Sequence, residues 1–219
     1  MTFDFDFALQ VLPDLVRGFA ITIQATVGGS VLALALGLAF ALANRSENRL
    51  LRVCSGSASE FLRRTPLLVQ LFFIFYVLPD VGIVIPPIWA GILALGLHSS
   101  AYMSEVYRAG IEAVPKGQWE AALALNYHPV QTWRRVILPQ AIPPMVPALG
   151  NYVVLMFKET ALLAVITVPE AMNTARDIGN STYQYTEPVT VVGILYLLIS
   201  IPVVLALRFI ERRVHQEAA

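Results

Sequence analysis

Long uncharged apolar runs separated by short charged segments set the rhythm of this chain. Residues 19–43 carry no charged side chain, and at about 1.5 Å rise per residue that run crosses a hydrocarbon core of roughly 30 Å with some tilt. A second run, LLVQLFFIFYVL, ends before Pro79, and its twelve residues are too short to cross alone. A span over 56–78 must therefore recruit the residues before Pro66 and pass that proline with a bend. Pro86 and Pro87 open a third run, 87–110, whose second half, HSSAYMSEVYRAG, turns polar. Runs at 141–168 and 188–209 complete the pattern. It predicts an all-α membrane protein of five transmembrane helices in a single domain, 1–219.

Within 19–43, Ala25, Gly29, Ala33, Gly37 and Ala41 recur every four residues. Small side chains at that spacing make a smooth stripe on which a second helix approaches closely. The segment before this run alternates Phe3, Phe5 and Phe7 with Asp4 and Asp6, and is expected at the outer membrane surface. A cleaved signal peptide is disfavoured: the start is acidic, the apolar run is too long, and Arg45, Arg49 and Arg52 follow directly.

Charge placement orients the spans. With the N-terminus outside and the C-terminus cytoplasmic, the inner segments collect Arg45, Arg49, Arg52, Arg63, Arg64, Arg108, Lys116, Arg134, Arg135, Arg208, Arg212 and Arg213, against Arg17 and Arg176 outside. That distribution obeys the positive-inside rule.

Composition agrees with the membrane reading: 57% of the residues are apolar, 14% are charged, and the mean hydropathy is +0.65. Fifteen basic and fifteen acidic residues balance, and no basic-aromatic patch appears, so membrane lipid rather than nucleic acid is the expected surrounding. Cys54 is the single cysteine; it forms no internal disulfide and is read as a small packing residue. His98 has no companion ligand and reads as a packed, hydrogen-bonded imidazole rather than a metal site.

The polar stretch 113–140 interrupts this apolar background. Strong helix formers from Trp119 to Leu125 follow Pro115 and Lys116, and Asn126 stands where the run stops, suited to the left-handed conformation that closes a helix. His128 and Pro129 restart the chain, with Gln131 placed to complete a capping box and Pro139 expected to end the second helix. Glu120-Ala121-Ala122, the corner at Asn126 and the closing Val136-x-Leu138-Pro139 resemble the EAA loop of bacterial ABC importer permeases. In that family a glycine usually occupies the corner and a serine often caps the second helix; here Asn126 and His128 stand there.

The resemblance extends over most of the chain, most clearly from about Phe61 to Glu170, and is to permeases for polar amino acids, with a likeness to those for ectoine and hydroxyectoine. It implies the type I importer permease fold in the bacterial cytoplasmic (inner) membrane. It also implies a second permease chain, identical or related, two ATPase subunits and an extracytoplasmic substrate-binding protein. Glu120, Ala121, Ala122, Asn126, Leu138 and Pro139 are then the ATPase-coupling residues. No Gly-rich loop ending in Gly-Lys-Ser/Thr is present, so ATP belongs on the partner, and no cofactor or catalytic constellation is expected on this chain.

Inside the membrane Lys158-Glu159 is the most informative pair. A charge at the bilayer centre costs about 2.5 to 3.5 kcal/mol, so each group must face protein or water. FKETALLAVITVPE resembles the family's fourth span, where such a pair lines the region of the translocation path; a structural ion pair is the competing reading. Gln70 fits an interhelical hydrogen bond or a substrate contact equally, and Ser99 and Ser100 either line the path or bond their own backbone. An ion-gradient-coupled secondary transporter would also place charges in the membrane, yet the five runs show no duplication of the kind many carriers carry.

Overall fold

The structure, a computed structural model, describes residues 3–217. Every regular element in that range is helical, in the order given below.

Helix α1 (Phe5–Asn44) begins where the Asp4 side chain accepts the Phe7 amide at 3.0 Å and runs for 40 residues. The expected first span is therefore only part of a longer helix, which takes in the acidic-aromatic start from Phe5 on. The small-residue stripe behaves as its spacing demands: Ala25, Gly29, Ala33, Gly37 and Ala41 are all buried. Along it α1 packs against α4 (Pro87–Glu112), whose own Gly96 receives Leu32 of α1.

Helix α2 (Arg49–Arg64), capped by Asn48, is separate from the apolar segment that follows it. It meets the following segment, Leu67–Val81, at a bend of 105°. Thr65 takes an extended conformation, φ −102° and ψ 129°, because Pro66 excludes the helical region from the residue before it. The 56–78 run is thus a corner rather than a gently bent rod. Ser55 and Ser59 point inward from α2 while Leu50, Val53 and Phe61 are exposed, the pattern of a helix lying along an apolar boundary. Cys54 is exposed on this helix, not packed. Beyond the corner come α3 (Leu67–Phe72), a π-helical turn at Phe73–Val77 and a tight 3-10 turn closed by Gly82 at φ 84°.

Helix α4 is 26 residues long, and its polar second half makes it less apolar than its neighbours. Helix α5 (Lys116–Ala124) and the single turn α6 (Pro129–Thr132) form the expected hairpin. Pro139 does not end the second helix. A π turn at Trp133–Ile137 leads straight into α7 (Leu138–Glu159), with the Leu138 amide bonded five residues back to Trp133. The widened turn accommodates Pro139, which sits in the first turn of α7 where its missing N–H costs little. A 3-10 segment, Thr160–Ile166, continues the rod until Thr167 turns left-handed at φ 61°. Helix α8 (Ala171–Thr182) is capped by Glu170 and ends at a left-handed Tyr183. Helix α9 (Thr186–Glu217) closes the fold.

By length and apolarity, Phe5–Asn44, Pro129–Ile166 and Thr186–Arg213 each suffice to cross a membrane, and the bent pair adds a fourth if counted as one span. The main core gathers Leu67, Leu71, Leu95, Met103, Met156 and Leu163 between α1, α3, α4 and α7. A second knot of Leu15, Phe19, Phe157 and Val192 fastens α8 and α9 to α1.

Candidate functional site

Two regions carry the candidate chemistry: the hairpin at the start of α7 and the polar groups along its far half.

The hairpin is built from complementary local signals. The Asn126 amide donates to Leu123 O at 2.9 Å and the Tyr127 amide to Ala122 O at 3.0 Å, the paired bonds of a Schellman stop, with Asn126 left-handed at φ 54°. Across the corner, the His128 ring accepts the Val130 amide at 3.4 Å while Gln131 Oε1 accepts the His128 amide at 3.1 Å. The histidine thus does the capping work usual for serine. Glu120 and Ala121 are exposed, and so are Leu123, Leu125 and Val130. Ala122 faces the other way and is buried; Leu138 is half-buried and Pro139 exposed. Beneath the hairpin Ile111, Val114, Ile137, Ala141 and Met145 form a small core of their own.

At the 105° corner, Gln70 Nε2 donates to Leu62 O at 2.9 Å and to Thr65 O at 3.1 Å, and lies 3.2 Å from His98 Nδ1. Those carbonyls fix the amide's orientation, which leaves Oε1 buried without a hydrogen-bond partner among the described residues. His98 packs on Tyr102, and Tyr102 stacks on Tyr152 of α7 with ring centroids 5.8 Å apart. The Tyr102 hydroxyl donates to Arg63 O at 3.2 Å. Arg63 pairs with Glu60 at 2.7 Å and with Glu105 at 2.5 Å, and Arg108 closes on Glu105 and Glu112, strapping α2 to α4.

The five interior candidates do not converge. Ser100 bonds its own helix at Leu97 O, and its carbonyl lies against Gly37 of α1. Ser99 is buried. Lys158 is exposed toward a groove of about 730 Å³ beside α9, whose walls include Met172, Val192, Tyr196, Ser200 and Arg208. Glu159, one position on, is half-buried and turns to another side, as an offset of about 100° requires. Among the described residues neither charge has an ion-pair or hydrogen-bond partner, so the structural Lys158–Glu159 pair is not formed.

The sequence reading passed over Tyr102, Tyr152, Trp119 and Trp133, whose aromatic contacts join distant segments. Glu170 is fully buried, accepts the Met172 and Asn173 amides, and receives the hydroxyls of Thr22 and Tyr196. Burial pushes its carboxyl up to about 7.

Membrane-length helices, two charges without partners among the described residues and a polar hairpin leading into the Pro129–Ile166 helix fit a membrane transport subunit. Residues 33–216 match the family of binding-protein-dependent transport system inner membrane components, and the chain belongs to it. It is a multi-pass protein of the bacterial inner membrane and not an enzyme. It is 44% identical over 205 residues to a probable amino-acid ABC transporter permease protein, y4tG, of Sinorhizobium fredii, covering 94% of this chain and 89% of that one. It is 35% identical over 218 residues to the arginine transport system permease protein ArtQ of Bacillus subtilis, covering 99% and 98%. Its fold superposes on the crystal structure of an amino acid ABC transporter with histidines, TM-score 0.91 and 37% identity, covering 97% of this chain and all of that one.

Proposed function

We propose that this chain imports a polar amino acid, or a related small zwitterion such as ectoine or hydroxyectoine, as one of two permease chains docked on two ATPase subunits. An extracytoplasmic binding protein delivers the substrate, ATP stays on the partner, and five spans place the hairpin 113–140 in the cytoplasm with the N-terminus outside. The observation that carries the reading is continuity: the second arm of the hairpin and Lys158 belong to one run of helix, Pro129–Ile166, of 38 residues. At about 1.5 Å per residue this run is roughly 57 Å long, so a displacement where it begins is carried along it to the groove.

The docking face is Glu120 and Ala121 together with the exposed Leu123 and Leu125, while buried Ala122 and left-handed Asn126 set the hairpin's shape. Leu138 and Pro139 serve as its junction with the rod. Lys158 and Glu159 are the substrate-path groups, each presenting its charge on a different side of α7; Gln70 holds the corner, and Ser99 and Ser100 are packing residues. The test is reconstitution of the chain with its ATPase and binding protein in liposomes. Uptake must require ATP and survive collapse of proton and sodium gradients, and Glu159→Gln must raise KM for the transported zwitterion. Uptake that persists without ATP and vanishes with the gradient defeats the reading.

A further inference from the structure

We infer that Trp133 is the positioning residue through which movement of α5 passes into both α7 and α1. This rests on the coupling role proposed for the hairpin. Helix α5 is nine residues long, and its outward face is what a partner would push. Among the described residues it is tied back to the rest of the chain by a hydrogen bond from Gln140 Nε2 to Gln118 Oε1 at 3.3 Å, by the corner itself, by buried Ala122 and by the ring of Trp119. That ring meets Trp133 edge to face, centroids 5.4 Å apart and planes at 86°. Both indoles are half-buried against the core of Ile111, Val114, Ile137, Ala141 and Met145.

Trp133 stands at a mechanical junction. It opens the π turn Trp133–Ile137, and its carbonyl takes the Leu138 amide that starts α7. A π turn inside a helix is a place where the hydrogen-bond register can shift, so it suits an element with two arrangements. The same indole lies under the guanidinium of Arg45, 6.0 Å from the ring centroid, and Arg45 is the C-cap of α1. One residue therefore meets α5 through its ring, opens the π turn that leads into α7 and faces the guanidinium at the end of α1. An edge-to-face indole pair has a preferred geometry that resists sliding, which a smaller aliphatic contact lacks.

The test uses the whole transporter in liposomes, with radiolabelled arginine, glutamine and ectoine offered together, and reads substrate accumulated per ATP hydrolysed. Trp133→Ala is expected to retain the ATPase at the unaltered ratio on purification while accumulation per ATP falls at least about fivefold, the low end of coupling effects. Trp119→Ala should behave alike, the double variant should be no worse than either, and Trp133→Phe should restore most of the ratio. Unchanged accumulation per ATP in Trp133→Ala overturns the inference. Should Trp133→Ala fail to assemble, Trp133→Phe and Trp133→Leu decide: equal ratios in the two overturn the inference, and loss in leucine alone supports it. An unaltered chain that retains no ATPase at all would instead refute the proposed function.

Discussion

The carboxylate of Glu170 receives the hydroxyl of Thr22 at 3.4 Å, and the same Thr22 oxygen accepts the Ala171 amide at 3.3 Å, so α1 and the start of α8 share one buried polar knot. Tyr196 of α9 joins it at 3.5 Å. Burial outweighs the amide donors of Met172 and Asn173 and raises the carboxyl from 4.5 to about 7. A carboxyl whose folded value is raised stabilises the fold fully below its unfolded value, and that contribution is lost as pH rises toward 7. The melting temperature should therefore fall between pH 5 and pH 8 by an amount corresponding to about 3 kcal/mol at most. Glu170→Gln, neutral throughout, should flatten that slope; an unchanged slope in differential scanning fluorimetry would show that Glu170 does not titrate in this window.

Asn126 holds φ 54°, a region that costs most L-residues roughly 1–2 kcal/mol and a β-branched residue more. Asn126→Gly should leave the hairpin and uptake intact. Asn126→Val should reshape the corner and lower uptake per transporter, while membrane insertion stays normal. Equal uptake by the two variants, measured at matched abundance, would remove the corner from the coupling route.

These residues also show how far the chain could be read unaided. The hairpin was legible because its signals are local: a run of helix formers, Asn126 at the stop, and His128 with Gln131 at the restart act within a few residues. The stripe from Ala25 to Ala41 was legible for the same reason, since four-residue spacing alone defines a face. Pro139 and the 56–78 corner were not, because tertiary contacts decided them. A π turn absorbed the proline, and Gln70 stabilised a 105° bend by bonding two carbonyls across it. Nor does spacing reveal which side of α7 meets α9, so the divergence of Lys158 from Gln70 appears only in three dimensions.

Gln70→Leu tests that corner. The substitution leaves the Leu62 and Thr65 carbonyls without the amide and removes the contact to His98. Buried groups stripped of a partner cost about 1–3 kcal/mol each before relaxation. Folded transporter should decrease and melt earlier, yet KM for uptake should stay at the unaltered value. A raised KM with undiminished stability would instead assign Gln70 to the substrate.

Two glycines of the α1 stripe should respond differently to the same methyl group. On Gly29 a Cβ would come 2.8 Å from Met156 Sδ, the movable part of a flexible side chain. On Gly37 it would come 3.0 Å from the Ser100 carbonyl oxygen and 3.0 Å from Met103 Cβ, neither of which can step aside without moving α4. Alanine gains about 1 kcal/mol of helix propensity at either site. Gly37→Ala should melt below both Gly29→Ala and the unaltered chain, and the opposite order would mean that the two helices are not in close contact there.

The orientation of the hairpin can be read directly by cysteine labelling. Gly117 on α5 is exposed, and a Cβ there meets nothing within 4 Å, so Gly117→Cys should fold normally. Cys54 is itself exposed and must first be replaced, as Cys54→Ser. Val84 is 78% exposed in the loop after Gly82 and supplies the opposite reporter as Val84→Cys. In the proposed topology, with twelve basic residues inside against two outside, a membrane-impermeant maleimide should label Val84→Cys on intact spheroplasts and Gly117→Cys only after permeabilisation. If Gly117→Cys reacts on intact spheroplasts, α5 faces away from every ATPase, and both the docking surface and the Trp119–Trp133 route fail with it.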